Sequence, residues 1–189
     1  YAPNQTGTYR LHDEIAGKFT INESGWNSVY PRYDQRRNDD RHRICLVGDS
    51  YIEALQVNVD ESSASHIEEN LRTRNIPVEV YRFGISGAPL SHYVYMIENE
   101  IVKYDPDLIV VNLVHNDFGE SVFLPDGTYS KSLASVKFNQ DRQPFLGDPE
   151  PYVRNPSWWV KTSAIFRYLW VRMQIRPDYL RRLWQKMTE

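Results

Sequence analysis

The stretch Ile44-Cys45-Leu46-Val47-Gly48-Asp49-Ser50 decides the fold of this chain. Its run of apolar residues predicts a β-strand that is covered on both faces, as in a parallel sheet. Gly48 allows a tight turn, which places Ser50 at the carboxyl end of the strand and at the start of the next helical segment. In α/β folds, ligands and nucleophiles lie at this edge of the sheet.

Two later stretches end in the same way. Residues Val78 to Phe83 predict a second strand, which is followed by Ile85-Ser86-Gly87. Residues Leu108 to Val114 predict a third strand, which runs into His115-Asn116-Asp117. Because the carboxyl ends of parallel strands share one edge, we expect Ser50 and these two groups to converge there.

Helical spacing fills the segments between the strands. One predicted helix begins at Asp60 as its N-cap, and the next begins near Pro89. The apolar residues assigned to the buried faces of these two helices are Ala64, Ile67 and Leu71, and then Leu90, Val94, Ile97 and Ile101. Strands that alternate with helices at this spacing predict an α/β fold with right-handed crossovers and a parallel sheet.

The three blocks Gly48-Asp49-Ser50, Ile85-Ser86-Gly87 and His115-Asn116-Asp117 resemble, in this order, those of the SGNH (GDSL-like) hydrolase family. The resemblance implies a three-layer α/β/α sandwich with a central parallel sheet, flavodoxin-like in order, and a serine esterase or acyl hydrolase without a cofactor or metal. It implies that Ser50 is the nucleophile, and that the Gly87 N–H and the Asn116 side chain stabilise the oxyanion. Val114 stands where the family has glycine.

The family's fourth element, Asp-x-x-His, has no counterpart after Asn116. The spacing does occur in Asp39-Asp40-Arg41-His42, but five strand residues place His42 about 17 Å from Ser50, at the opposite rim. A serine nucleophile needs a base within hydrogen-bond reach. We therefore expect the sheet to be incomplete, with further strands and the histidine beyond Glu189 or on a neighbouring chain at an open apolar sheet edge.

Each candidate residue also has a structural interpretation. The structural alternative is a simple turn for Ser50, backbone geometry for Gly87 and a helix cap for Asn116-Asp117, and the catalytic interpretation is preferred because the three blocks occur together. Asp49 is expected to support its loop by hydrogen bonding, and His115 is a candidate for substrate contact. The remaining histidines, His12, His66 and His92, are expected on solvated surfaces.

Composition narrows the class of protein. The chain has 189 residues, a net charge of −3 and one cysteine, Cys45, which is predicted to be buried. No apolar run approaches the ~20 residues of a membrane span, and no signal-peptide pattern opens the chain. The seven basic residues from Lys161 onward leave an acidic body, which argues against nucleic acid as the partner.

We predict a single domain, residues 1–189, in four parts. They are an N-terminal arm (1–41), a core with the nucleophile and oxyanion blocks (42–117), a long loop region with a possible turn at Asp126-Gly127 (118–157), and an aromatic, basic helical segment (158–189). The last part is interpreted as a covering helix or as a contact for a membrane surface or a polysaccharide.

The predicted function is hydrolysis of an acyl ester, with a carbohydrate O-acyl ester preferred because of the open aromatic loop region. An O-acyltransferase would use the same site, and a catalytically silent binding module would keep the fold. The expected partner is a small-molecule or saccharide ester, and an extracytoplasmic location is favoured.

Overall fold

The computed structural model describes residues 1–11, 14–37, 40–123 and 130–151, together with 162, 163 and 165. The chain divides into two compact units, Tyr1–Pro151 and Tyr152–Glu189. The predicted turn at Asp126-Gly127 and the predicted helix from Trp158 to Ile175 lie outside the described residues, apart from single positions of that helix. The prediction of a single domain stays a prediction.

Seven strands and four α-helices are described, all in the first unit. In chain order they are β1 (Gln5–Leu11), β2 (Ile15–Ile21), β3 (His42–Gly48), α1 (Ser50–Glu53), α2 (Ser63–Thr73), β4 (Val78–Gly84), α3 (Leu90–Asn99), β5 (Leu108–Val111), α4 (Asp117–Glu120), β6 (Ser135–Phe138) and β7 (Pro144–Gly147). None of the described helices is both long and apolar enough to span a membrane.

The central sheet has the order β4-β3-β5, and both pairings are parallel. Successive side chains of a strand point to opposite faces, so one strand contributes to two cores. On one face Leu46 packs with Ala64 of α2, and on the other Val47 packs with Tyr93 of α3. Helices therefore cover both faces, which confirms the predicted α/β/α sandwich.

The sheet has an exposed apolar edge at β5. The exposed fractions of its side chains are 52% for Leu108, 41% for Val110 and 39% for Val111. The strand ends at Val111, three residues earlier than predicted, and it pairs on one side with β3. An open edge of this character was expected for an incomplete sheet, and what pairs with it stays a prediction.

The N-terminal arm packs on the core through aromatic side chains. Tyr33 stacks on Tyr81 with ring centroids 4.0 Å apart, and Trp26 meets Phe83 edge-on at 5.0 Å. The predicted edge strand at Phe19-Thr20-Ile21 is the end of β2, which forms an antiparallel hairpin with β1. The arm is therefore part of the core-covering structure, as predicted.

Charged residues inside the sheet were not predicted. Arg43 is 1% exposed, and its Nε donates to Glu79 Oε1 at 2.6 Å. Its guanidinium also donates to the Tyr104 carbonyl and lies over the Tyr81 ring at 4.9 Å. A buried pair of this kind adds little net stability, but removing one partner would leave an uncompensated charge.

Four sequence-based expectations are corrected by the structure. The N-cap of α2 is Ser62 and not Asp60, because residues 59–61 form a 3₁₀ turn. Of the residues assigned to the buried face of α3, Val94 is 41% exposed, whereas Leu90, Ile97 and Ile101 do pack in the core. The fully buried residues of α3 are Ser91, His92, Tyr93 and Met96. His92 is buried and not solvated, and the region after α4 contains the β6-β7 hairpin where a long loop was expected.

Candidate functional site

Ser50 is the first residue of α1, a helix of a single turn. Asp49 is its N-cap: the Oδ1 accepts a hydrogen bond from the Tyr51 N–H at 3.0 Å. Ala54 ends the helix in a left-handed conformation, φ +51°, and its N–H donates to the Ser50 carbonyl at 2.9 Å. Asp49 therefore supports the segment that carries Ser50 by hydrogen bonding, as predicted.

Two glycines allow α1 to lie directly against the ends of β3 and β4. A Cβ at Gly48 would lie 2.6 Å from Ile52 Cγ1, and a Cβ at Gly84 would lie 2.0 Å from the Glu53 nitrogen. Neither glycine has a positive φ angle. Gly48 is thus required for close packing, and not for the tight turn that the sequence suggested.

Gly87 lies in the loop that follows β4. Its φ angle is +71°, a conformation that favours glycine. The Ala88 N–H donates to the Ile85 carbonyl at 3.0 Å and closes the turn, while the Ile85 N–H donates to the Gly48 carbonyl at 3.2 Å. Among the described residues no acceptor takes a hydrogen bond from the exposed Gly87 N–H, which leaves it available for a ligand.

Asn116 follows β5 and is held by its neighbour Asp117. The fully buried Asp117 carboxylate accepts hydrogen bonds from the Val114 N–H at 2.7 Å and the Tyr93 hydroxyl at 3.0 Å. These bonds fix the loop 114–117 without engaging the Asn116 side chain. Asn116 is the N-cap residue of α4 by position, but its half-buried side chain forms no capping hydrogen bond. Capping of the helix therefore does not explain the side-chain amide of Asn116.

Burial and nearby acids perturb the titration of groups around the site. Burial raises the pKa of Asp49, and the neighbouring Asp117 charge raises it further. Burial also raises the pKa of Glu53, the last residue of α1, although hydrogen bonds from Ser86 counteract this. The pKa of the Tyr93 hydroxyl is raised by burial and by Asp117, so this group remains a hydrogen-bond donor at neutral pH.

None of the four described histidines forms a hydrogen bond with Ser50. His42 begins β3, at the opposite end of the strand from Ser50, as predicted. His92 accepts a hydrogen bond from the Ala134 N–H at 3.0 Å, and burial lowers its pKa to about 4. His66 and His115 are exposed, and contact between His115 and a substrate stays a prediction. His12 lies outside the described residues.

A cavity of about 480 Å³ opens beside Ser50. The described residues that line it are Ser50, Tyr51, Ala54, Gln56, Val57, Glu61, Ser62 and Ser63. Tyr51 is 69% exposed and directly follows Ser50. The volume falls within the range of small-molecule sites, and the lining mixes hydroxyl, amide, carboxylate and apolar groups.

Sequence reasoning did not identify Glu53, Ser86 or Tyr93 as part of this arrangement. Ser86 was quoted only as a neighbour of Gly87, yet its hydroxyl donates to Glu53 Oε2. The available signal was the position of Glu53, three residues after Ser50, which is one helical turn away.

No protein-family model matches the chain, and no curated protein matches it. Among solved structures it is similar to AlinE4, described as an SGNH-hydrolase family esterase, with 24% identity and a TM-score of 0.39. The match covers 43% of this chain and 44% of that protein. Function is therefore argued from the residues of the site.

Proposed function

We propose that this chain carries the acyl-transfer site of a serine ester hydrolase, with Ser50 as nucleophile and Gly87 and Asn116 as oxyanion donors. The supporting observation is the placement of these residues after three adjacent parallel strands, in the order β4-β3-β5. Residues 48 and 84 are paired in register, as are 47 and 111, so the strands end at nearly the same level. Ser50 follows the central strand β3, Gly87 follows β4 and Asn116 follows β5.

In the proposed reaction the Ser50 Oγ attacks the acyl carbonyl carbon, and a base removes the hydroxyl proton. The carbonyl oxygen becomes an oxyanion, which the Gly87 N–H and the Asn116 side-chain amide stabilise. Collapse of this intermediate breaks the ester C–O bond, the protonated base returns its proton to the leaving oxygen, and the alcohol is released with the acyl group left on Ser50. Water then hydrolyses the acyl-enzyme. The base is predicted to be a histidine beyond Glu189 or on a neighbouring chain, and this stays a prediction.

We propose a carbohydrate O-acyl ester as the substrate. The exposed Tyr51 ring offers an apolar face beside the nucleophile, and such a ring can cover the apolar face of a sugar. Gln56 and Ser63 supply polar groups on the same cavity wall. Glu61 adds a negative charge, which favours a neutral saccharide over a carboxylated one.

Two alternatives are distinguished by product analysis. An O-acyltransferase would use the same acyl-enzyme but pass the acyl group to a sugar hydroxyl, so added acceptor would reduce the yield of free acid. A binding module that keeps the fold would release no product and would bind an ester without reacting with it.

The test of the proposal is covalent labelling of the full-length protein with a serine-directed phosphonate, followed by peptide mass spectrometry. We expect the label on Ser50, and we expect Ser50→Ala to abolish both labelling and hydrolysis of p-nitrophenyl acetate. Ser63→Ala, which changes another serine of the same cavity, should still be labelled at Ser50. Labelling of a different residue, with Ser50 unmodified, would overturn the assignment.

A further inference from the structure

Glu53 is a buried carboxylate one helical turn after the nucleophile. Its exposed fraction is 2%, and its Oε2 accepts a hydrogen bond from the Ser86 hydroxyl. The Oε1 is inaccessible to solvent and has no hydrogen-bond partner among the described residues. Full burial of a carboxylate is costly and rare. Because a buried carboxylate at position 53 lowers the stability of the fold, we expect it to have a role in the neighbouring site that explains it.

The backbone of Glu53 is fixed from three sides. Its N–H donates to the Asp49 carbonyl at 2.9 Å, and its carbonyl accepts a hydrogen bond from Asn27 Nδ2 at 2.9 Å. Gly84 lies directly beneath it, with no room for a Cβ. The side chain of Glu53 therefore extends from a rigid base that it shares with Ser50.

The carboxylate reaches the loop that carries the oxyanion donor. Ser86 immediately precedes Gly87, and its hydroxyl and backbone amide both stabilise the charged form of Glu53. Fixing Ser86 in turn restricts the peptide that bears the Gly87 N–H. The contact thus connects two parts of the site that come from different strands: the nucleophile after β3 and the donor after β4.

A purely electrostatic role is less consistent with the surroundings. Arg82 is a basic side chain that acts on Glu53; it is 3% exposed and donates to the Asn27 carbonyl. Its Nη1 and Nη2 have no hydrogen-bond partner among the described residues, and the structure shows no ion pair between them and Glu53. The contact that Glu53 makes directly is with Ser86.

We propose that Glu53 is a positioning residue, which holds Ser86 and thereby sets the direction of the Gly87 N–H relative to the Ser50 hydroxyl. The inference rests on the proposed function. A misplacement of about 1 Å at a reacting group costs about 10²-fold in rate. We therefore expect Glu53→Ala and Ser86→Ala each to lower kcat by about 10²-fold, with KM changed less than about threefold.

The conservative variant and the double variant separate positioning from simple loss of stability. Glu53→Gln keeps an oxygen that accepts from Ser86, so we expect kcat to recover to within about fivefold of the unmodified protein. The double variant should be no slower than either single variant, because both remove the same contact. The control Glu68→Ala removes a carboxylate that accepts from the Tyr30 hydroxyl at 2.6 Å, far along α2, and should leave kcat unchanged.

Each outcome decides the proposal. An unchanged kcat in Ser86→Ala, which removes one hydroxyl and keeps the fold, would overturn it, as would additive losses in the double variant. If Glu53→Ala does not fold by circular dichroism, Ser86→Ala and Glu53→Gln still give the comparison. Phosphonate labelling of Ser50 in the unmodified protein is measured in parallel. If Ser50 is labelled and the variants keep their kcat, only the role of Glu53 is refuted. If Ser50 is not labelled, the proposed function is refuted, and this inference with it.

Discussion

Replacing Gly84 by alanine should displace α1, the helix that begins at Ser50. The added Cβ would lie 2.0 Å from the Glu53 nitrogen and 2.5 Å from its Cα, whereas non-bonded atoms of this kind separate to about 3.5 Å. Backbone atoms cannot rotate away as a flexible side chain can, so α1 must shift by about 1.5 Å. Overpacking costs about 1–3 kcal/mol, and the loss of unfolded-state entropy on changing glycine to alanine offsets less than about 1 kcal/mol. We expect a net loss of about 2 kcal/mol.

The assay is urea unfolding followed by circular dichroism. With a slope of about 2 kcal/mol per molar, the midpoint for Gly84→Ala should fall by about 1 M. Gly119→Ala is the matched control, because a Cβ there meets nothing within 4 Å and this helical position gains up to about 1 kcal/mol from alanine. Equal midpoints for the two variants would refute the argument that α1 depends on close packing against β4.

Two further predictions concern the oxyanion site and pH. Asn116→Ala should lower kcat by about 10²–10³-fold with little change in KM, as measured by steady-state kinetics, and a loss confined to KM would indicate a binding role instead. Burial lowers the pKa of His92 to about 4, so the unfolded chain binds more protons between pH 4 and 6.5 and the free energy of unfolding falls as the pH falls through that range. Relative to pH 7, the loss at pH 5 is about 2 kcal/mol. His92→Asn, which keeps an acceptor for the Ala134 N–H, should lose this part of the pH dependence in unfolding measured at both pH values, and identical pH profiles would contradict it.

Local sequence signals were sufficient for β3 and for the start of the short helix that follows it. The apolar run before Gly48 predicts β3, and the short polar group after it predicts that Ser50 begins a helix. The role of Asp49 also followed from sequence, because a carboxylate before a helix accepts from its first N–H groups. These features depend on residues within a few positions of each other.

Features that depend on distant parts of the chain were not predictable in this way. His92 has a polar side chain on an amphipathic helix, and it is buried because Ala134, 42 residues later, covers it. The start of α2 was placed at Asp60, although residues 58–61 use their own capping box and leave the cap to Ser62. The strands of the β6-β7 hairpin have only four residues each, which is too short for an alternating pattern to stand out from the turn-rich sequence around them.

The same dependence on distant contacts applies to α1, the helix that begins at Ser50. A helix of four residues has no stability of its own, because nucleation of a single turn is unfavourable. Its position must come from tertiary contacts, and part of these come from the N-terminal arm: Asn27 Nδ2 donates to the Glu53 carbonyl.

The β1-β2 hairpin of the arm supports the segment after α1. A Cβ at Gly17 would lie 2.3 Å from the Leu55 carbonyl oxygen, and the Lys18 N–H donates to Asn58 Oδ1 at 3.1 Å. This segment includes Gln56 and Val57, which form one wall of the cavity beside Ser50. The arm therefore shapes the candidate substrate cavity as well as the helix that carries Ser50, although it contributes none of the three proposed catalytic groups.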